Sequence, residues 1–266
     1  MAICNVTPDS FSDGGEHYSV SLALQFAEAA WRDGATILDI GGESTRPGAT
    51  PVPAERELAR VLPVVEAVRE RLPALLITVD TVKAVVADAA LAAGAHAVND
   101  VSGGRLDPAM FDVVARAGAG MVIMHSRGTV ADMASLAHAT YEQDDVVTTV
   151  AREMGAQVAL ARAAGIPTDA LVLDPGIGFA KTSAHSLALL RAMPRLATLG
   201  FPLLVGASRK RLIGELTGVA EPSRRVIGSA VAHAMAVLAG ARIIRTHDVG
   251  PTREALAVAT AISRDS

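Results

Sequence analysis

The sequence predicts an α/β protein of the (β/α)8 barrel class, one domain over residues 1–266, and three observations carry that expectation. Eight short apolar runs alternate with eight helix-like, Ala-rich stretches along 266 residues, the tally of such a barrel. Half of the residues are hydrophobic but only 3% are aromatic. That composition suits helices packed over buried parallel strands better than a sandwich. Nearly every apolar run also stops at a polar residue able to bind or react. An open doubly wound sheet is the competitor, but it seldom needs eight units in one chain. No low-complexity segment or interdomain linker breaks the pattern.

The strand candidates, in order, are AICN (residues 2–5), TILDI (36–40), LLITVD (75–80), AHAVND (95–100), GMVIMH (120–125), LVLD (171–174), PLLVG (202–206) and RIIRTH (242–247). Helical candidates fall at residues 20–34, 53–72, 82–94, 107–118, 141–165, 186–193, 224–240 and 251–263. Several finish in Gly, as helix C-termini often do. The strand ends supply Asn5, Asp39, Asp80, Asn99, Asp100, His125, Asp174, Arg245 and His247, with Ser208 just after the seventh strand. In a barrel the C-terminal ends of all eight strands converge on one mouth. Residues scattered along the sequence thereby become one cluster.

Composition narrows the function. A formal net charge of -4 argues against a nucleic-acid surface, which needs a basic face. Cys4 is the only cysteine, so there is neither a disulfide framework nor a cysteine-based zinc site, and a reducing compartment is expected. No stretch reaches 18 uninterrupted apolar residues and no basic-then-apolar leader opens the chain. A soluble, cytoplasmic protein is the expectation. The first loop, NVTPDSFSDGG (5–15), is long and polar. A plain connection is shorter, so this one is expected to have a use.

The mouth suits a flat nitrogen heterocycle. Asp80, Asn99 and Asp174 are short acceptors and donors that match ring N–H and amino groups, and Lys210 in GASRKR adds a positive donor. The competing use of each acid is to cap the following helix. That use is weakest for Asp174, whose successors PGIGFAKT make a glycine-bearing loop. Ser208, Arg209, Lys210, Arg211, Arg245 and His247 gather cations after strands seven and eight, where barrels often build a phosphate site. A solvated charged turn is the alternative for SRKR. DPGIGFAKT lacks the spacing of a nucleotide P-loop, and the histidines offer no helical H-x-x-x-H pair. His125 is expected to support the site rather than to catalyse.

Seven motifs in chain order complete the pattern: NVTPDSFSDGG, DIGGESTRPGA, TVDT, NDVSGG, DPGIGFAKT, GASRKRLIG and RTHDV. From Ile3 to about Val249 the chain resembles the dihydropteroate synthases, the folate-pathway enzymes inhibited by sulfonamides. The resemblance implies condensation of 6-hydroxymethyl-7,8-dihydropterin diphosphate with 4-aminobenzoate, giving 7,8-dihydropteroate and pyrophosphate. It implies that Asp80, Asn99, Asp174 and Lys210 hold the pterin, and that Thr45, Asn5, Arg245 and His247 bind the diphosphate. Asn5 would help to bind Mg2+, and Thr45, Arg46, Pro47, Phe179 and Ser208 would frame the aminobenzoate pocket. Arg245, His247, Lys210 and Asp9 would serve catalysis. Asp9, Ser10 and Phe11 would shelter the reacting carbon, in a first lid hinged at Gly14 and Gly15, with GGESTRPGA as the second lid.

The implied chemistry is dissociative, with charge taken up on the leaving pyrophosphate and no covalent enzyme intermediate. Compared with the family, the segment ahead of strand one is nearly absent, so a less well sealed barrel floor is expected. GFAKT lacks the extra residues of sulfonamide-resistant relatives, and SRGTVADM (126–133) has no assigned role. The family also implies a homodimer through the last helices, and the apolar segment VIGSAVAHAMAVLAG fits one. The alternatives are a pterin-binding methyltransferase using methyltetrahydrofolate, and a non-catalytic pterin binder. The lids and the full set of cations speak against both.

Overall fold

The computed structural model describes residues 1–7, 15–44, 50–141 and 145–263. Six strands pair in chain order, each parallel to the next: β1 (Ala2–Asn5), β2 (Ile37–Gly41), β3 (Leu76–Asp80), β4 (Ala97–Asp100), β5 (Gly120–Met124) and β6 (Leu171–Asp174). β7 (Leu204–Val205) and β8 (Ile243–Ile244) form a parallel pair of their own. Two seams join these sheets into a ring. Leu173 bridges to Leu203, and Ala2 bridges to Thr246. At the second seam Ile3 donates to the Thr246 carbonyl (3.1 Å) and Thr246 donates to that of Met1 (3.0 Å). Closure leaves no open edge, and the fold is the eight-stranded barrel the pattern predicts.

The strands read as apolar runs because both of their faces are covered. Leu38, Ile40, Ile77, Val79, Val98, Met121, Ile123, Leu171 and Leu173 are all buried in one continuous core with the inward faces of the helices. Around the ring lie α1 (Gly15–Arg32), α2 (Ala54–Arg71), α3 (Ala84–Ala92), α4 (Met110–Ala117), α5 (Val146–Ala163), α6 (Ser183–Arg191), α7 (Met193–Ala197), α8 (Arg211–Thr217), α9 (Val226–Leu238) and α10 (Val249–Ser263). Local chemistry sets several starts. Asp145 accepts the Thr148 N–H at 2.9 Å ahead of α5, and Thr182 with His185 makes a capping box ahead of α6.

Among the described residues two helices exceed the eight of the sequence pattern. α7 continues beyond α6 with Pro194 in its first turn, and α8 occupies the stretch directly after GASRK. α8 ends at Gly218 in the left-handed region, φ 72°.

Register decides what meets at the mouth. Gly41 of β2 pairs with both Asn5 and Asp80, Asp80 pairs with Asn99, and Met124 pairs with Asp174. The C-terminal ends of β1 to β6 therefore stand level, and the polar strand ends form part of a single rim.

Candidate active site

One hydrogen-bonded group occupies the centre of the mouth. Asp39, inside β2 and fully buried, accepts from Thr78 Oγ1 at 2.5 Å, from Asn99 Nδ2 at 2.9 Å and from Arg245 Nε at 2.6 Å. Arg245 reaches on with Nη2 to Asp80 Oδ2 at 2.6 Å. The guanidinium thus spans two carboxylates from neighbouring strands, a use that needs its flat, fixed fork. Asp80 is no helix cap, since Lys83 is the N-cap of α3 and the Ala84 N–H is accepted by Asp107 at 2.8 Å. Burial pushes the Asp80 carboxyl up to about 8, with Asp39, Glu57 and Asp100 adding to the rise and Arg245 opposing it. As a carboxylate it accepts from Arg245 and has oxygen lone pairs left to accept from a ring N–H.

Opposite stand Asp174 and Lys210. Asp174, at the end of β6, accepts the Gly176 N–H at 2.7 Å. Burial pushes its carboxyl up while the Lys210 ammonium holds it down. Lys210, in the loop after β7, is moved the other way: burial pushes it down to about 8, with Asp174 resisting and Arg245 reinforcing the fall. Its ammonium donates to the Ile177 carbonyl and lies 4.5 Å from the centre of the Phe179 ring. Next to this pair, Ser208 Oγ accepts the His247 N–H at 3.1 Å and stands 3.0 Å from His247 Nδ1. The structure thus brings Asp80, Asn99, Asp174, Lys210, Ser208, Arg245, His247 and Phe179 to one rim with Asn5. Asp9, Thr45, Arg46 and Pro47 lie outside the described residues.

The cation run resolves into three environments. Arg209 is bound through Nε (2.9 Å) and Nη2 (2.5 Å) to Asp248. Arg211 is exposed and pairs with Glu215 at 3.3 Å. Arg211 also donates to the Lys181 carbonyl at 3.2 Å, while Lys210 is the member of SRKR whose charge acts on Asp174 at the mouth.

The family model described as pterin binding enzyme matches residues 1–247. The chain belongs to the pterin-binding enzyme family. Its relatives include dihydropteroate synthases. That of Synechocystis sp. is 44% identical over 99% of this chain and 90% of its own length. The solved structure of Xanthomonas albilineans dihydropteroate synthase with 4-aminobenzoic acid is 47% identical, covers 100% of this chain and 93% of that one, and superposes with a TM-score of 0.92. The same enzyme in complex with 7,8-dihydropteroate is 44% identical, with 100% and 94% covered and a TM-score of 0.89.

For a member of this family the donor set at the mouth can be tested against a divalent cation. Among the described residues no three His, Cys, Asp or Glu side chains group as a metal site. Asn5 offers a neutral oxygen, which suits Mg2+ when substrate phosphate oxygens and waters complete the shell. The residues present fit a cation that arrives with its substrate.

Sequence reasoning named Asp39 as a strand end but gave it no role, although an acid inside the apolar run TILDI is itself a signal. It also missed a buried salt-bridge group. Lys83 Nζ meets Glu43 Oε2 at 2.9 Å and Glu57 Oε2 at 2.5 Å, while Glu43 Oε1 accepts the Val52 N–H at 2.5 Å. That group ties residues 43 and 52 to α2 and to the start of α3.

Proposed function

We propose that this barrel condenses 6-hydroxymethyl-7,8-dihydropterin diphosphate with 4-aminobenzoate, forming 7,8-dihydropteroate and pyrophosphate. The observation that carries the reading is the set of Asp80, Asn99, Asp174 and Lys210 on one rim of a closed barrel of this family. Asp80 and Asp174 match the N–H and amino edge of the pterin, Asn99 offers both a donor and an acceptor, and Lys210 faces a ring nitrogen or carbonyl. Each side chain is held in place before substrate arrives, which lowers the cost of binding.

His247, with Arg245, Asn5 and Thr45, binds the diphosphate and takes up charge as it leaves. The same His247 holds Ser208, which with Thr45, Arg46, Pro47 and Phe179 frames the aminobenzoate pocket. Asn5, with oxygens of the diphosphate, would hold Mg2+, which would supply further stabilisation of negative charge on the leaving group. Asp9 shelters the reacting carbon from water. No side chain forms a covalent bond to substrate; the methylene–oxygen bond breaks as pyrophosphate leaves, the amine then attacks the resulting pterin methylene cation and gives up a proton, and sulfonamides compete with the amine.

We infer a homodimer as well. Ile227, Val231 and Met235 are spaced along one face of α9 and are 81%, 57% and 61% exposed, and Val258 and Ile262 of the adjoining α10 are exposed too. A contiguous apolar surface of this kind marks a contact with a partner. The barrel is taken as one domain because β1 and β8 share its closing seam. Cys4, a buried free thiol, fits a reducing, cytoplasmic location.

The test is pyrophosphate release from the dihydropterin diphosphate and 4-aminobenzoate, with and without Mg2+ and a sulfonamide. Release that needs both substrates and the metal is the expected outcome. Release without the amine, or none at all, would sink the reading.

A further inference from the structure

Beneath the rim lies a polar cluster that the roles above leave unused. Lys181, in the loop after β6, is 0% exposed. Its Nζ lies 2.8 Å from His125 Nδ1, 3.0 Å from the Phe179 carbonyl oxygen and 3.3 Å from the His125 carbonyl oxygen. An ammonium has three hydrogens and no lone pair, and three acceptors face it. On the far side of the imidazole, His125 Nε2 meets Glu153 Oε2 at 2.8 Å. Arg127 holds that carboxylate in turn, through Nη2 at 2.6 Å and Nε at 3.2 Å.

Protonation follows from this chain of partners. Nε2 must carry a hydrogen to donate to the Glu153 carboxylate, which leaves Nδ1 free to accept from Lys181 when the ring is neutral. Burial, reinforced by the Lys181 charge, pushes His125 down to about 4, so the neutral ring prevails at pH 7. Burial also pushes Lys181 down, to about 7, while Asp174 resists.

The lysine fixes a loop that strains to be where it is. Gly176 has φ 69°, and a Cβ there would fall inside the carbonyl oxygen of His125. Ala180 lies in the left-handed region at φ 47°, a conformation non-glycine residues adopt at a cost. Its N–H donates to the Met133 carbonyl at 2.7 Å. Between these points Phe179 packs on a small apolar cluster that includes Met133 and Val130. The stretch SRGTVADM thus becomes the platform under the Phe179 loop, and Lys181 is the bolt that ties the loop to the end of β5.

We propose that Lys181 is a positioning residue for the aminobenzoate pocket: by holding the Phe179 carbonyl to His125, it sets the Phe179 ring as that pocket's wall. The inference rests on Phe179 lining the pocket. Lys181 touches neither substrate and acts through the backbone of its neighbour. The pterin contacts of Asp80 and Asn99 come from other strands, whereas Lys210, 4.5 Å from the Phe179 ring, and Asp174, which holds Gly176, adjoin the same loop.

The experiment compares Lys181→Met and Phe179→Ala in the full chain, measuring KM for 4-aminobenzoate and for the pterin diphosphate separately, with circular dichroism to verify folding. Lys181→Met is expected to raise the aminobenzoate KM by about 10-fold, the scale of one lost charge-assisted hydrogen bond, and the pterin KM by a clearly smaller factor, because Asp80 and Asn99 are untouched while Asp174 and Lys210 adjoin the loop. An unchanged aminobenzoate KM in Lys181→Met, with Phe179→Ala raising it, overturns the inference alone. No change in either variant overturns the pocket assignment and the inference together. Equal rises in both KM values also overturn it, since they would mark a general loosening of the mouth. Should Lys181→Met not fold, nitrogen-15 NMR of the unaltered protein at pH 6.5 decides. A neutral His125 ring protonated on Nε2 is expected, and an imidazolium or an Nδ1–H tautomer overturns the arrangement.

Discussion

The guanidinium of Arg245 and the carboxylate of Asp80 stand 2.6 Å apart, although 165 residues separate them in the chain. The same guanidinium reaches Asp39 of β2. One side chain from the residue that follows the last strand thereby fastens two acids from the second and third. Truncation would leave both carboxylates without their cation, and breaking a buried pair in this way typically costs about 3–5 kcal/mol. Arg245→Met is therefore expected to shift the urea midpoint well downward. Arg245→Lys should recover only part of the loss, because a point charge cannot serve both acids. Equal midpoints for the wild type and Arg245→Met would show that the pair contributes little.

A second expectation concerns Asn99. Its amide donates to Asp39 at 2.9 Å, and replacing it with a carboxylate sets two acids face to face. Asn99→Asp should weaken pterin binding by about 10- to 100-fold, the range for a charged group left without its donor. Isothermal titration with a pterin analogue measures it, and a loss under about 2-fold would free Asn99 from that role.

Lys210 and Asp80 both bear on the pH dependence of pterin binding, and the Lys210 contribution can be isolated by substitution. The Lys210 ammonium is pushed down to about 8, first by burial. Below that pH the side chain is charged; as pH rises through it, the donor loses its proton and its positive charge. That contribution to pterin affinity should be level from pH 6.5 to 7.5 and fall above about 8, by up to about tenfold per unit. Lys210→Met should bind more weakly at pH 7 and lose that alkaline fall. An alkaline limb that persists in the variant would assign it to another group.

Gly176 offers a test of packing. Its positive φ and the nearness of the His125 carbonyl leave no room for a side chain. Gly176→Ala must move the loop, and a strained backbone costs about 1–3 kcal/mol. A lower Tm and a weaker aminobenzoate interaction are expected together, read by scanning calorimetry and by KM. An unchanged Tm would contradict the close approach.

For the association surface, Ile227→Asp and Met235→Asp place charges on the exposed face of α9, where they disturb no buried residue. Light scattering at micromolar concentration is expected to give a dimer for the wild type and a monomer for the double variant. A monomeric wild type would remove the partner.

Much of this was legible in the sequence because barrel strands announce themselves. LITVD and LVLD are apolar runs that stop at an acid, and the stop marks the rim. Helix α8 was not legible: it has seven residues, contains Gly214, and sits where a charged turn reads equally well. Asp39 was visible as a misplaced charge, but its partners Asn99 and Arg245 are 60 and 206 residues away. Pairing of β2, β3 and β4 brings Asn99 to Asp39, and only closure of the ring brings Arg245. Lys181 was hidden for a similar reason. Once DPGIGFAKT failed as a nucleotide loop the lysine had no evident task, and its partner His125 lies 56 residues earlier. The motif positions Asp9 and Thr45 to Pro47 rest on the family pattern.

The seam between Ala2 and Thr246 has a consequence for how the protein matures. Every other strand can find its neighbour soon after it is synthesised, but this contact must wait until nearly the whole chain exists, and such long-range closures are slow. Arg245 sits one residue from that seam. A chain that has collapsed without closing would hold Asp80, Asn99 and Asp174 in place yet lack the cation that balances two of the acids around them. Pterin should therefore recognise only the finished ring, and its binding would draw late folding intermediates toward completion.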